Sequence, residues 1–500
     1  MKVLIFLDIY IKFRQNVKFW LKNVVKMLKI KQKKSSKCYI NDKMLLKEGK
    51  NMEVSTYLKR KVYNKLVKWK NESNGSTALL IEGARRIGKS TIALEFAKNE
   101  YEDYLVIDFN IVPVEIRDLF INGRSDIDLL LQKLQTFYGK VLPVRKSLII
   151  FDEVQFCPEA RSLIKYLVAD GRYDYLETDS LISIKKNVEN IIIPSEEKKI
   201  NMYPLDFEEF LWALGDFNTI PFLKNCYDNK TKVDIAHGRI MKDFRTYVLV
   251  GGMPQAVVEY LKTKSFDKVD DKKRDILSLY HDDINKNGIN SKKLINMYDN
   301  IPGQLSSGSK KFKMSLIDKS ARFGNYENEL AWLDDAKIIN LCNNVTDPSV
   351  CLALTKDESN FKCYQSDVGL LVTQAFINKP FVDNEIYKAI LFDKLNVNEG
   401  MIMENYVAQT LKANGYELYY YAKNDNDVIE NNMEIDFLIV QDKKINPIEV
   451  KSGNYSKHTS IDRFKNKFKK SVGTRYVLHT KDLKVEDDIV YLPIYMAIFL

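Results

Sequence analysis

Between Thr77 and Ile184, short apolar runs alternate with stretches in which apolar residues recur every three or four positions. The runs Thr77–Glu82, Tyr104–Phe109, Leu148–Phe151 and Tyr175–Ile184 read as strands, the last leading into a loop. The periodic stretches Met52–Trp69, Ser90–Tyr101, Asp126–Tyr138 and Glu159–Ala169 read as helices. Strands alternating with helices predict an α/β unit, a parallel sheet with both faces covered. From Asn201 the pattern turns helical to about residue 300, opening at Asp206–Trp212 and broken by Gly251-Gly252-Met253-Pro254, which we read as a helix–helix turn. Lys293–Tyr364 reads as short helices followed by strands, a winged-helix-like unit. From Glu399 a helix with Met403, Val407 and Leu411 inward precedes strands at Tyr416–Tyr421, Glu434–Val440 and Asn446–Lys451. A basic helix (Arg463–Lys470) and strands at Tyr476–His479 and Val490–Leu492 follow, and Tyr491–Leu500 closes the chain as core. The expected divisions are a basic extension over 1–51, a first unit over 52–200, a helical and winged-helix-like unit over 201–390, and a final α/β unit over 391–500.

Composition narrows this picture little, and charge narrows it more. A chain of 500 residues, 45% apolar with 20 Gly and 12 Pro, is globular and long enough for two to four domains. Its six cysteines are scattered without a C-x-x-C pair, which argues against a zinc ribbon and a disulfide framework and suits a reducing cytoplasm. No apolar run reaches the ~18 residues of a membrane span. Residues 1–51 hold 14 Lys/Arg and 3 Asp/Glu, a net of +11 against +10 for the whole chain, so the body is near −1. Phe13, Phe19, Trp20, Val24, Val25 and Leu28 among those lysines suit a cationic amphipathic helix for a membrane surface or nucleic acid. The alternative is an extension without a role, with Met52 as the true start. Asp8 interrupts the apolar stretch and argues against a signal peptide.

Chemistry enters at residues 83–90, Gly83-Ala84-Arg85-Arg86-Ile87-Gly88-Lys89-Ser90, a G-x-x-x-x-G-K-S string between an apolar strand and a helix. Glycines let successive backbone N–H groups converge on one phosphate, and the following helix adds its positive end. This is a P-loop (Walker A): Gly83 to Thr91 form the nucleotide cradle, Lys89 reaches the β- and γ-phosphates, and Ser90 holds Mg²⁺. The strand Leu148–Phe151 ends in Asp152 and Glu153 (Walker B); we assign Asp152 to the metal shell and Glu153 to the attacking water. No Asn-Lys-x-Asp string is present, so ATP is expected over GTP. Near the C-terminus, Asp436 is followed by Glu449-Val450-Lys451. Glu449 and Lys451 share one strand face, and a hairpin would bring Asp436 beside Glu449. Two carboxylates for a divalent metal and a lysine to activate water make a nuclease-type constellation, to which Glu404 could add a fourth polar group. Two solvated strands with a surface Glu–Lys pair are the plainer alternative.

These strings together resemble a prokaryotic family of predicted AAA+-superfamily ATPases. In that family a P-loop domain is joined to a C-terminal domain of unknown function with a restriction-endonuclease-like segment. The matching pieces are Ile81 to Ser90, Phe151-Asp152-Glu153-Val154-Gln155, Asp170-Gly171-Arg172-Tyr173-Asp174, Tyr203 to Phe210, Gly251-Gly252-Met253-Pro254 and Asp367-Val368-Gly369-Leu370-Leu371. Glu404-Asn405, Glu434-Ile435-Asp436-Phe437 and Ile448-Glu449-Val450-Lys451-Ser452 complete the match over about residues 55–500. The resemblance implies an ATPase core, a helical and winged-helix middle and a nuclease-like end. Where the family commonly has Thr-Gly-Ser, a γ-phosphate sensor, this chain has Thr178-Asp179-Ser180. Thr178 and Ser180 remain candidate sensors. An inward-pointing Asp179 would oppose phosphate by about 1 kcal/mol or more at an effective dielectric of ~20, slowing hydrolysis more than binding. Arg85, Arg86, Arg161 and Arg172 are all candidates for the arginine finger. The expected function is a Mg²⁺-ATP-dependent switch. The alternatives are an ATP-gated, metal-dependent DNA nuclease using Asp436, Glu449 and Lys451, or a non-catalytic module that binds nucleic acid or protein. Basic residues on the Arg463–Lys470 helix favour nucleic acid, DNA among them, with a solvated face as the plainer alternative, and a homo-oligomer is left open.

Overall fold

The first sheet follows from five short segments of extended chain. They are β1 (Ala78–Glu82), β2 (Asp103–Asp108), β3 (Ser147–Asp152), β4 (Asp174–Asp179) and β5 (Glu197–Asn201). All neighbours are parallel, in the order β2-β3-β4-β1-β5. A parallel sheet must be covered on both faces, and β3 and β4 are buried along their whole length. Helices α1 (Val62–Ser73) and α2 (Lys89–Glu100) cover one face, packing Leu66, Trp69, Ile92 and Phe96 onto Leu79, Ile81, Ile150 and Leu176. Helices α3 (Val114–Asn122), α4 (Ile127–Tyr138) and α5 (Pro158–Asp170) cover the other. The first helix is shorter than expected, opening at Val62, and α3 and β5 were not expected. In this computed structural model the described residues are 57–123, 126–180, 195–286, 290–317, 319, 322–377, 399–423, 432–453, 455 and 458–500. The basic extension, the segment 181–184 and the boundary at 390/391 lie outside them.

Asp206 opens the helical region as the sequence indicates. Its side chain accepts from the Glu209 amide, and the Glu209 carboxylate accepts from the Asp206 amide, a complete capping box on α6 (Phe207–Ala213). Then follow α7 (Thr219–Asn229), α8 (His237–Val250), α9 (Pro254–Thr263), α10 (Phe266–Lys286), α11 (Ser291–Asp299), α12 (Ile301–Leu305) and α13 (Glu327–Asp335). Gly251, at φ +82°, ends α8, and Pro254 starts α9, so the Gly-Gly-Met-Pro string is a helix–helix turn.

The strands β6 (Ile339–Val345) and β7 (Lys356–Gln365) form an antiparallel hairpin, but not a free wing. After α14 (Val368–Ala375) and α15 (Glu399–Ala413) come β8 (Leu418–Lys423), β9 (Met433–Gln441), β10 (Lys444–Val450), α16 (Thr459–Lys467), β11 (Arg475–His479), β12 (Lys484–Glu486) and β13 (Ile489–Pro493). Together they make a mixed sheet in the order β12-β13-β11-β10-β9-β8-β6-β7. Pairing with β8 satisfies the edge of β6 that an isolated wing would leave open. Residues 339–365 therefore share one sheet with the C-terminal strands. Helix α15 is buried from Met401 to Leu411, with Met403, Val407 and Leu411 in the core as expected. Its polar residues Glu404, Asn405 and Gln409 must therefore find partners inside the protein. One continuous apolar cluster runs from Leu66 through Tyr247 and Tyr406 to Leu492, so the two sheets and the helices between them share a core. Among the described residues no helix is long and apolar enough to cross a membrane.

Candidate functional site

At the C-terminal end of β1 the chain turns where no side chain fits. A β-carbon on Gly83 would stand 2.4 Å from the Met202 carbonyl oxygen. Gly88 sits at φ +93°, and α2 begins at Lys89. Ala84 and Ile87 are buried in the core and shape the loop from behind. The Ile87 carbonyl accepts from Arg60 at 2.9 Å, and Arg60 is paired with Glu209 at 3.2 Å. The buried Lys89 ammonium donates to the Gly83 and Ala84 carbonyls at 3.0 and 2.9 Å. Burial lowers its pKa to about 8, against the pull of Glu153, Asp179 and Asp152.

Because β4 lies between β1 and β3, Thr178 stands between the loop and the acidic pair. Asp152 Oδ1 accepts from Ser90 Oγ at 2.7 Å and also from the Thr178 hydroxyl. Thr178 Oγ1 in turn accepts from the Glu153 amide at 3.1 Å. Burial raises the Asp152 pKa, and these two hydroxyls work against it. Glu153 adopts φ +52°, a left-handed conformation that non-glycine residues rarely hold. Its carboxylate accepts from Ser180 Oγ at 2.8 Å and from the Gln155 amide. A cavity of about 770 Å³ opens over these groups. Arg85, Arg86, Gly88, Lys89, Ser90, Thr91, Asp152 and Glu153 line it from the first sheet, and Pro254, Gln255, Asp283 and Lys286 close it from α9 and α10. No local pattern nominates these last four for the site, because only the tertiary fold brings α9 and α10 here. Arg85 forms an ion pair with Asp283, and the Tyr280 hydroxyl donates to the Arg85 carbonyl at 3.1 Å. The residues fit Mg²⁺: the Ser90 hydroxyl and the Asp152 carboxylate meet at the cavity wall, 2.7 Å apart.

Asp179 does not point at this cavity. It stands in register with Glu82 on β1 and lies on the sheet face opposite Thr178, fully buried, with no hydrogen-bond partner for either oxygen among the described residues. Burial pushes its pKa up to about 7, while Arg161 and Lys89 draw it down. Beside it, Glu177 is raised by burial and by Glu197. Arg161 forms a two-bond ion pair with Glu197 at 2.9 and 2.8 Å, and Arg172 is held by Asp170 and Asp128. Of the four arginines considered, only Arg85 and Arg86 face the cavity.

The C-terminal constellation is assembled differently from the expectation. The β9–β10 hairpin brings Asp436 near Glu449, but Asp436 Oδ2 accepts from the Val450 amide at 2.9 Å. Its other oxygen lies 3.4 Å from Lys362 Nζ. Lys362, on β7 and fully buried, also stands 2.7 Å from Glu434 and 3.9 Å from Glu404. Lys310 is paired with Glu404, which also accepts from the Tyr364 hydroxyl at 3.2 Å. Lys451 pairs with Glu449 at 2.7 Å. Burial alone would lower Lys362, but Glu404, Asp436 and Glu434 hold it above the ordinary lysine range. Burial would likewise raise Asp436, and Lys362 holds it below the usual carboxylate range. An ammonium thus stands beside Asp436, one of the two carboxylates expected to hold a divalent metal, while the other, Glu449, is met by Lys451. Among the described residues no group of three or more His, Cys, Asp or Glu is arranged to hold a metal ion. Lys362 and Lys310 belong to no motif, so only the fold reveals them.

Comparison with known proteins decides the nature of the first sheet. Residues 75–211 match the family model described as an AAA domain. Residues 75–211 form an AAA-type ATPase domain. Residues 241–380 match a domain of unknown function (DUF8612), and residues 399–497 match a second one (DUF4143). No curated protein matches the chain. Among solved structures, the chain is similar to the Walker-type ATPase PABY2304 of Pyrococcus abyssi (15% identity, 64% of this chain and 96% of that one, TM-score 0.38). It is also similar to the Aeropyrum pernix ORC1 protein in complex with DNA (11%, 64% and 92%, TM-score 0.29). A third is the Thermotoga maritima RuvB Holliday junction branch migration motor (13%, 56% and 89%, TM-score 0.25). The ATPase domain accounts for the cavity's floor, and the adjoining helices for its wall.

Proposed function

We propose that the chain is an ATP-dependent switch, in which nucleotide bound at the P-loop draws the α9–α10 wall onto the ATPase domain and alters the C-terminal body. The observation that carries this reading is the composition of the cavity: phosphate-binding loop on one side, Pro254, Gln255, Asp283 and Lys286 of the helical region on the other. A γ-phosphate touching both walls makes contacts that ADP cannot, which is what biases a two-state element. Lys89 and the amides that open α2 hold the phosphates. Ser90 and Asp152 would hold Mg²⁺, whose charge offsets that of the phosphate oxygens. Glu153, oriented by Ser180 and Gln155, takes the proton of the attacking water, and Thr178 fixes Asp152 and the Glu153 backbone. Replacing Lys89 by Ala removes a charge-assisted contact. ATP affinity should fall by about 10- to 100-fold, since hydrogen bonds to charged groups contribute about 1.5–3 kcal/mol. Titration with a fluorescent ATP analogue measures this, and unchanged affinity would discard the reading.

The C-terminal body supports a second, finer part of the proposal. Helix α15, the β8-β9-β10 meander and the parallel β10-α16-β11 crossover follow the order expected of a restriction-endonuclease-like fold. We read this body as a non-catalytic binding module for nucleic acid or a protein in the cytoplasm, because Lys362 neutralises the acidic cluster from within. Single-stranded, duplex and branched DNA should stay intact with Mn²⁺. Cleavage that disappears in Asp436→Ala would reinstate the nuclease alternative.

A further inference from the structure

The Gly-Gly-Met-Pro turn and the Asp367-Val368-Gly369 string lie far apart in sequence, and the nucleotide chemistry uses neither directly. In the fold they touch. Pro254 and Gln255 line the nucleotide cavity, and a β-carbon on Gly88 of the P-loop would lie 3.7 Å from Pro254. Two residues before Pro254, the Gly252 amide donates to Asp367 Oδ2 at 2.6 Å. The other oxygen of Asp367 accepts from the Leu370 amide at 2.9 Å and caps α14. One fully buried carboxylate therefore binds the cavity wall and the start of α14 together.

Nothing soft separates the two segments. A β-carbon on Gly369 would fall 2.5 Å from the Gly251 α-carbon, and one on Gly252 would fall 2.1 Å from the Leu205 carbonyl oxygen. Lys273 Nζ reaches across the junction to the carbonyls of Leu249 (2.7 Å) and Gly369 (3.3 Å). On its far side α14 is tied to α15. The Val368 amide donates to Gln409 at 2.8 Å, and the Gln409 amide donates to the Tyr247 hydroxyl at 2.9 Å. One turn earlier on α15, Asn405 exchanges hydrogen bonds with Gln365 on β7 at 2.8 and 3.1 Å. Glu404, its neighbour, belongs to the Lys362 cluster.

We propose that Asp367 is a positioning residue that makes the nucleotide cavity and the C-terminal sheet move as one. The inference rests on the switch reading and names its route. A wall that shifts when nucleotide enters must carry Gly252 with it. Gly252 either abandons Asp367 in a dry interior or takes α14 along, and α14 takes α15. Close packing without slack favours the second outcome.

Amide hydrogen exchange on the full chain, with and without a non-hydrolysable ATP analogue and Mg²⁺, tests this. In the wild type the analogue should slow exchange at Gly252, at residues 368–371 and at residues 405–409 by about tenfold, within the range of couplings between distinct sites. In Asp367→Asn, whose single side-chain oxygen cannot serve both amides, the analogue should still bind and protect the P-loop. The slowing at residues 368–371 and 405–409 should be lost. Gly369→Ala, which forces the two backbones apart by another means, should show the same split between binding and transmission. Transmission as strong as wild type in both variants would overturn the assignment. So would wild-type protection confined to the cavity, even with the switch's ATP binding intact. An analogue that fails to bind the wild type would remove the switch reading together with this one.

Discussion

The ATPase cavity and the C-terminal cluster are built from the same parts, carboxylates and lysine, to opposite effect. Around the cavity, Lys89 is bonded to two neutral carbonyls, and Asp152 and Glu153 accept only from hydroxyl and amide donors. Among the described residues no ion pair completes them, and they face about 770 Å³ of open space. In the C-terminal cluster Lys362, Lys310 and Lys451 stand against Glu404, Glu434, Asp436 and Glu449, so that each carboxylate has an ammonium group within 4 Å. The two lysines move in opposite directions as a result. Burial brings Lys89 down to about 8, whereas neighbouring carboxylates hold Lys362 up. A constellation of reactive residue types becomes a site when its charges are left incomplete beside a cavity, and becomes structure when they are closed internally.

The comparison breaks first at Glu153. Replacing it by Gln keeps the shape and the hydrogen bonds but removes the base, so ATP turnover should fall by about 10²- to 10⁴-fold with binding retained. Single-turnover hydrolysis beside equilibrium titration separates the two, and near-normal turnover would deny the cavity its chemistry. Lys362→Met probes the other side. It strips the shared cation from Glu404, Glu434 and Asp436 and should destabilise the chain by about 3–5 kcal/mol, the cost of leaving a buried charge pair half-removed. Urea unfolding measures this, and ATP affinity should hardly change. A variant as stable as the wild type would mean that the cluster is not closed by Lys362.

What the sequence reveals follows from how local each signal is. The P-loop, the acidic strand end and the capping box at Asp206 are determined within a few neighbouring residues, and each stands where its pattern indicates. Strand β5 was missed because Glu197-Lys198-Lys199-Ile200-Asn201 is a polar edge segment with one apolar residue. It is held by β1 and, at Glu197, by Arg161. The wing of the expected winged helix became part of the second sheet because β6 and β8, more than 70 residues apart, pair their backbones, a register no local pattern encodes. Lys362 and the wall residues Asp283 and Lys286 were unreadable for the same reason: their meaning lies in a partner elsewhere. The E-x-K spacing locates two acids but not Lys362, which reaches Asp436 from β7.

Asp179 refines the comparison, since it is a buried charge that belongs to neither arrangement. It closes β4 on a buried face, without a hydrogen bond or an ion pair among the described residues. Its pKa in the folded protein is about 7, well above the unfolded carboxyl value of about 3.9. Between these values the folded chain holds a proton that the unfolded chain has released, so the Asp179 contribution is fully favourable below about pH 4 and is lost as pH rises through about 7. Asp179→Asn freezes the neutral form. The variant should match the wild type near pH 4 and exceed its stability above pH 7 by about 4 kcal/mol, the roughly three-unit shift at about 1.4 kcal/mol per unit. Urea midpoints of both chains at pH 5 and pH 8 give the difference directly. A gap that does not widen with pH would place the Asp179 charge in contact with a counter-ion and make this region resemble the closed cluster at the other end of the chain.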